Sequence, residues 1–275
     1  MTASSPQRNK ARKSLGQHYL VDAAVLERIL EAAELSAPDV VLEIGPGLGS
    51  LTRGLLERVA SVIAVEMDPR LAASLASRLG NPANLTTVEA DARTMDIGSL
   101  VGGQAGYKVV ANLPYYAANP IVRRLLEAEP KPGLMVFMVQ KEVAQVMVAE
   151  PGRMGLLSVA TQYYARPSLV CDVPPEAFNP PPKITSAVVR LEVRPEPAVA
   201  VTDRDAFFAL VRAGFSAPRK QLRNSLSHGL GVPGAEVGEF LKGLDMDGSR
   251  RAETLTIEEW AALYRGWEAR TTEAE

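Results

Sequence analysis

The chain has 275 residues, a formal charge of -2 and a single cysteine, Cys171. That length suffices for one substantial core and a smaller second domain, and a lone cysteine excludes a disulfide framework or a zinc-ligand spacing. With no membrane-length apolar run and no apolar leader, a cytoplasmic protein with no metal and no membrane partner is expected.

The opening stretch is basic, with Arg8, Lys10, Arg12 and Lys13 preceding the first acid, Asp22. It reads as an arm, residues 1–20, that either folds over a neighbouring site or frays. Leu26, Ile29, Leu30 and Ala33 then recur at helical spacing. Val40–Ile44 is a short apolar run of the kind buried on both faces in a parallel sheet, and it stops at Gly45, Gly47 and Gly49. Glycine lacks Cβ, so such a turn takes unusual dihedrals and lets a ligand lie on the backbone. Leu51, Leu55 and Val59 mark the following helix.

Ser61–Glu66 is the next strand and ends in an acid; Asp68 offers an N-cap, Pro69 a first-turn residue and Gly80 a stop for the helix between. Leu85–Val88, followed by Asp91, is a third strand; Lys108–Ala111, followed by Asn112-Leu113-Pro114-Tyr115, is a fourth. A helix opens at Asn119 and Pro120, and Leu134–Val139 is a fifth strand. This alternation predicts an α/β fold, a doubly wound Rossmann-like sheet with helices on both faces, over residues 21–195. Met154–Ala165 reads as a helix, and Ser168–Val173 and Thr185–Val193 read as closing strands around the proline-rich Phe178–Lys183. Beyond the linker at Arg194–Pro197 the strand pattern ends, and residues 200–275 are expected to form a small all-helical C-terminal domain with a Thr256/Glu259 capping box. Arg212, Arg219, Lys220 and Arg223 lie in an acid-free interval of that domain, either a phosphate-binding cluster or a solvated helix face.

Ligands of open α/β sheets lie beyond the carboxyl ends of the strands. Glu66 stands about twenty residues past the first glycine, the offset at which an acid grips ribose hydroxyls. A dinucleotide fingerprint also needs a glycine three positions after its second one, and Ser50 or Thr52 stands there instead. A turn of this form suits a cofactor without phosphate, its amino-acid tail on the backbone. Asp91 is placed to accept from an adenine amine, so turn, Glu66 and Asp91 together describe S-adenosylmethionine.

The segment after the fourth strand then faces the methyl donor. An exocyclic base amine has its lone pair delocalised into the ring, and it needs an acceptor that orients its N–H groups rather than a strong base. The Asn112 side-chain oxygen and the Leu113 carbonyl can supply this, with Pro114 stiffening the turn. Tyr115 offers a face for a flipped-out base. Phe178 is either the second face of that clamp, held by polyproline rigidity, or part of a stiff connector or a proline-motif ligand.

These motifs resemble the ribosomal RNA adenine N6,N6-dimethyltransferases that act on the small subunit. The likeness runs through K-S-L-G-Q-H-Y-L at Lys13–Leu20, E-I-G-P-G-L-G at Glu43–Gly49, Glu66, E-A-D at Glu89–Asp91 and N-L-P-Y at Asn112–Tyr115. It continues in F-N-P-P-P-K at Phe178–Lys183, R-K-Q-L-R-N-S-L at Arg219–Leu226 and R-A-E-T-L-T at Arg251–Thr256. The resemblance implies dimethylation of two adjacent adenosines in the 3'-terminal hairpin of small-subunit rRNA, acting on an immature small ribosomal subunit. It implies cofactor contacts from His18, Leu20, Gly45, Glu66, Asp91 and Asn112, and RNA contacts from the C-terminal domain. A monomer is expected. Tyr19, where the family often has Phe, and Ala117-Ala118 after the tyrosines are the departures. Two other readings belong to the same chain: a large-subunit enzyme of the macrolide-resistance type, and a non-catalytic assembly or RNA-binding factor.

Overall fold

The computed structural model describes residues 17–273, so Arg8, Lys10, Arg12, Lys13 and the rest of the arm before Gln17 lie outside the described residues. Nine strands occur among the described residues: β1 Tyr19–Leu20, β2 Val40–Ile44, β3 Ser61–Glu66, β4 Leu85–Glu89, β5 Lys108–Asn112, β6 Leu134–Gln140, β7 Ala165–Val173, β8 Phe178–Asn179 and β9 Ser186–Val193. Seven form one sheet in the order β4-β3-β2-β5-β6-β9-β7, and β1 pairs with β8 in a separate antiparallel ribbon. The pairs β4–β3, β3–β2, β2–β5 and β5–β6 are parallel. The chain therefore reverses direction across the sheet between β2 and β5, and the glycine turn after β2 lies beside Asn112 at the end of β5.

Local chemistry explains the elements. Val41, Leu42, Val62, Val109, Val110 and Val136 are fully buried, as strands covered on both faces require. Asp22 caps helix Ala23–Ala32 by accepting from Ala24 N at 2.8 Å, and Asp68 caps helix Pro69–Arg78 with proline in its first turn. Helix Ser50–Leu56 is different. Its N-cap is Gly49 at φ 87°, a left-handed backbone that a side chain would strain. A Cβ there would also stand 3.1 Å from Leu75 Cδ1.

By packing, the chain forms two compact units, residues up to 141 with 170–190, and residues 142–169 with 191–275. β7 and β9 are each divided between them. The first unit holds β1–β6, β8 and the helices that alternate with them. Residues 142–169 group with the C-terminal helices because Tyr163 and Tyr164 meet Phe207 and Phe208 in an aromatic cluster, with ring centroids 5.1–6.1 Å apart for the pairs Tyr163–Phe207, Tyr163–Phe208, Tyr164–Phe208 and Phe207–Phe208. The second unit also contains helices Arg204–Gly214, Leu222–Leu230, Gly234–Gly243 and Ile257–Glu273. The Thr256/Glu259 box forms: Thr256 N donates to Glu259 at 2.8 Å, and Glu259 N donates to Thr256 Oγ1 at 3.2 Å. Arg250 pairs with the same carboxylate and fastens the loop before the helix.

Three details add to or differ from the sequence reading, the first in a stretch to which it assigned no element. Lys141–Met147 is helical, and Ala165 begins β7 rather than ending the helix Leu156–Tyr164. Phe178–Asn179 is no polyproline segment: Leu20 lies opposite Phe178 and Tyr19 opposite Asn179 in β1–β8. Phe178 is thus held by strand pairing and packing. No helix among the described residues is long and apolar enough to cross a membrane.

Candidate active site

One cleft in the first unit is lined by all eight residues singled out in the sequence: His18, Leu20, Gly45, Glu66, Asp91, Asn112, Tyr115 and Phe178. Each comes from a strand end or from the β1–β8 ribbon, so parallel winding gathers residues far apart in the chain. At its floor lies the glycine turn. Gly45, Gly47 and Gly49 all have positive φ, and a Cβ at Gly45 would stand 3.3 Å from the Asn112 carbonyl oxygen. A Cβ at Gly47 would stand 3.1 Å from Tyr19 Cδ1. The bare turn is a cradle that a side chain would fill, and it fits an amino-acid tail laid along the backbone.

Glu66 is 8 % exposed and already has two partners, accepting from Asp68 N at 2.9 Å and Gly47 N at 3.2 Å. Burial pushes its carboxyl up, the two backbone donors oppose that, and the nearby Asp68 adds to it. Each oxygen retains a second lone pair, so the same carboxylate can tie the turn to β3 and accept ribose hydroxyls. Asp91 is also engaged. Arg93 Nε donates to its Oδ1 and Oδ2 at 3.0 Å and Arg93 Nη2 to Oδ2 at 2.6 Å, and this pairing holds the carboxyl below its usual range. An adenine amine reaching Asp91 must share it with that guanidinium.

Asn112 is oriented by the N-terminal segment. Its Nδ2 donates to the His18 carbonyl at 3.2 Å, which leaves Oδ1, the amide's acceptor, unengaged by that bond. His18 in turn stacks on Tyr115, ring centroids 6.1 Å apart and planes 22° from parallel, and its Nδ1 meets the Pro180 carbonyl at 2.8 Å. Tyr115 is fixed at its far end by a 2.5 Å hydrogen bond between its hydroxyl and Ser186 Oγ. His18 thus lies offset from the tyrosine ring on one side and narrows that face for a base. Leu113 is buried, whereas Tyr116 is 53 % exposed at the rim. Phe178 lines the cleft but is only 4 % exposed, packed within an apolar cluster that includes Leu20, Ile29 and Val188, so little of its ring is open to a base.

Four contributors were not singled out by sequence reasoning as working residues. Tyr19 covers Gly47, and its hydroxyl donates to Gln17, which donates to Asp68. Arg93 holds Asp91, and Ser186 anchors Tyr115 from a strand more than seventy positions later, a pairing with no local signal. Glu43 is the fourth, and a signal was available: a carboxylate inside an otherwise aliphatic strand. No group of three or more His, Cys, Asp or Glu side chains among the described residues is arranged to hold a metal ion.

In the second unit Arg212 on helix Arg204–Gly214, Arg219 and Lys220 in the turn that follows, and Arg223 on helix Leu222–Leu230 are all exposed.

Residues 8–265 match the family model described as ribosomal RNA adenine dimethylase. Among curated relatives, a ribosomal RNA small subunit methyltransferase A of Dehalococcoides mccartyi is 46% identical over 256 residues, covering 92% of this chain and 87% of the relative. A protein of the same name from Pelotomaculum thermopropionicum is 46% identical, covering 92% and 90%. Among solved structures, a dimethyladenosine transferase from Plasmodium falciparum superposes with a TM-score of 0.79 at 27% identity, covering 92% of this chain and 98% of that one. The 23S rRNA methyltransferase ErmE superposes with a TM-score of 0.72 at 30% identity, covering 91% and 99%.

Proposed function

The chain belongs to the ribosomal RNA adenine dimethylase family, and on that premise we propose how its residues methylate RNA and which RNA they act on. The activity is an S-adenosylmethionine-dependent rRNA adenine dimethyltransferase directed at the small subunit. S-adenosylmethionine supplies an electrophilic methyl group on a positively charged sulfur. The chain's own residues do the rest. The glycine turn receives the amino-acid tail, Glu66 the ribose hydroxyls and Asp91 the adenine amine, while His18 and Leu20 close the cleft over them.

The target adenine leaves its stack and lies against the open face of Tyr115. Its amine donates to Asn112 Oδ1 and to the Leu113 carbonyl, so its lone pair turns out of the ring plane toward the methyl group. No residue needs to remove a proton before attack: the N–C bond forms as the C–S bond breaks, the thioether product is the leaving group, and the alkylated nitrogen then loses one proton to solvent. Alignment of amine and methyl provides most of the acceleration, and the fixed amide dipole stabilises the charge that develops on nitrogen. Phe178 serves as the edge against which the base stops. The observation that carries this reading is the Asn112 amide, whose nitrogen is held by the His18 carbonyl so that its oxygen, the acceptor, is unengaged by that bond.

The substrate in this reading is the pair of adjacent adenosines in the 3'-terminal hairpin, presented by an immature small subunit to a monomeric cytoplasmic enzyme. Residues 200–275 would bind RNA through Arg212, Arg219, Lys220 and Arg223, since such side chains neutralise phosphates without reading sequence. Immature small subunits incubated with the protein and labelled S-adenosylmethionine should yield N6,N6-dimethyladenosine on nucleoside mass spectrometry. Labelling confined to large-subunit RNA would instead place the chain with the enzymes that ErmE represents. Normal subunit maturation with an inactive Asn112→Ala variant would assign it an assembly role.

A further inference from the structure

We propose that Glu43 is a specificity residue of the cofactor site, one whose buried carboxyl distinguishes the positively charged methyl donor from the neutral product left after transfer. The proposal rests on the donor lying in the cleft described above, and it concerns a residue to which that reading gives no task.

Glu43 belongs to β2, one residue inside its carboxyl end and two before the left-handed Gly45. It lines the cleft, yet it is only 1 % exposed. Its Oε2 has no hydrogen-bond partner among the described residues. The neighbouring positions in register are aliphatic, Ala64 on β3 and Val110 on β5. A leucine or valine at position 43 would bury there without the cost of desolvating a carboxyl. Retaining an acid in such surroundings points to work done by the acid.

The charged and titratable groups around it are few. Glu66, at the end of the adjacent β3, bears the same sign and repels a Glu43 carboxylate. On helix Ser50–Leu56, the Thr52 hydroxyl favours ionisation by more than Glu66 opposes it, though it makes no hydrogen bond of good geometry, and Arg53 is exposed. On β5, Lys108 is taken by Asp39 at 2.8 Å. From β1 and its flank come His18 and Tyr19, both at the cleft. No cation is provided for Glu43 by any of these elements. Burial first, and Glu66 second, push its carboxyl up to about 8, so at neutral pH it is largely protonated in the open cleft.

A cation arriving over the glycine turn changes that balance. The donor and its demethylated product share an α-ammonium and a carboxylate, which cancel. Only the donor adds a sulfonium. Its field favours the Glu43 carboxylate, so the carboxyl proton passes to solvent as the donor enters and returns when the sulfonium becomes a thioether. The reprotonated acid then offers the product no ionic partner. Donor binding is coupled to proton release and product binding is not, or is less so.

Calorimetric titration of the full chain with S-adenosylmethionine and with S-adenosylhomocysteine, in buffers of different ionisation enthalpy at pH 7, reads this directly. The donor should release close to one proton more than the product, and the donor-to-product affinity ratio should rise toward tenfold between pH 6.5 and 7.5, the limit for one coupled proton. Titration of the shared α-ammonium cancels in the comparison. Glu43→Gln should abolish both the extra proton and the pH dependence of the ratio. Equal proton release by the two ligands with the wild-type chain overturns the proposal without any variant, as does a Glu43→Gln chain that keeps the difference. Gly45→Ala should weaken both ligands alike. If it leaves both unchanged, the donor sits elsewhere, and the reading of the cleft fails rather than the role of Glu43.

Discussion

Replacing Glu66 separates two tasks that its geometry gives to one carboxylate. Truncation in Glu66→Ala removes the acceptor for Asp68 N and Gly47 N, held at 2.9 Å and 3.2 Å. A buried N–H left without a partner costs about 1–3 kcal/mol. Asp68 is buried and should bear that cost in full, whereas Gly47 is half-buried and recovers part of it from water. Against this, burial holds the Glu66 carboxyl above its ordinary range, so removing the charge returns some stability. The net expectation is a loss of about 2–3 kcal/mol for Glu66→Ala. Glu66→Gln keeps an acceptor for only one of the two N–H groups and turns a donor toward the other, so with the half-buried Gly47 left unpaired it should lose about 1–2 kcal/mol. Both variants lose a charge-assisted contact to ribose worth about 1.5–3 kcal/mol, which is roughly ten- to a hundredfold in donor affinity. Urea unfolding of the ligand-free chain and calorimetry with S-adenosylmethionine test the two parts separately. An unchanged urea midpoint in Glu66→Ala would refute the tie between β3 and the glycine turn, and wild-type donor affinity in Glu66→Gln would refute the ribose contact.

Asn112→Ala should lower the methyl-transfer rate by about a hundred- to a thousandfold, the scale of removing one preorganised polar group, while donor affinity by calorimetry falls much less. Arg93→Ala frees the Asp91 carboxylate from its bidentate partner, so donor affinity should hold or rise up to about threefold (less than 1 kcal/mol); a clear fall would mean that Arg93 itself touches the cofactor. Gly49→Ala should destabilise the chain by at least about 1–2 kcal/mol from its left-handed backbone alone, and more where the new methyl meets Leu75 and Leu79, as a denaturant midpoint would reveal. Glu43 supplies a pH test of stability. Its folded value, about 8 against 4.5, is raised, so its unfavourable contribution is absent below the unfolded value and grows as pH rises through that window. The limit is about 5 kcal/mol. The melting temperature of Glu43→Gln relative to wild type should therefore climb from pH 5 to pH 8.5, and a flat difference would show that Glu43 ionises freely in the folded chain.

What the sequence disclosed about the site followed from residues whose local chemistry admits few uses. Glycines on alternate positions after an apolar run could only be a bare turn, and Asp68-Pro69 could only open a helix. An acid at the end of β3 and Asn112 at the end of β5 were placed on either side of β2 by the winding rule, because parallel strands send their carboxyl ends to one edge. What it withheld depended on pairings between distant segments. The run Phe178–Lys183 reads as a stiff connector because prolines dominate its composition, but its first two residues are a strand whose partner, Tyr19–Leu20, lies at the other end of the chain. That pairing brings His18 over Tyr115 and its carbonyl onto Asn112. The ribbon therefore sets the direction of the Asn112 amide, although nothing local in either half signals that it pairs with the other. Ser186 and Arg93 escaped notice for the related reason that serine and arginine are at home on any surface, and only their contacts assign them work. Glu43 is the opposite case. Its oddness was visible as a carboxylate within V-V-L-E-I, and the structure turns that oddness into a question of charge by burying it with no cation beside it among the described residues.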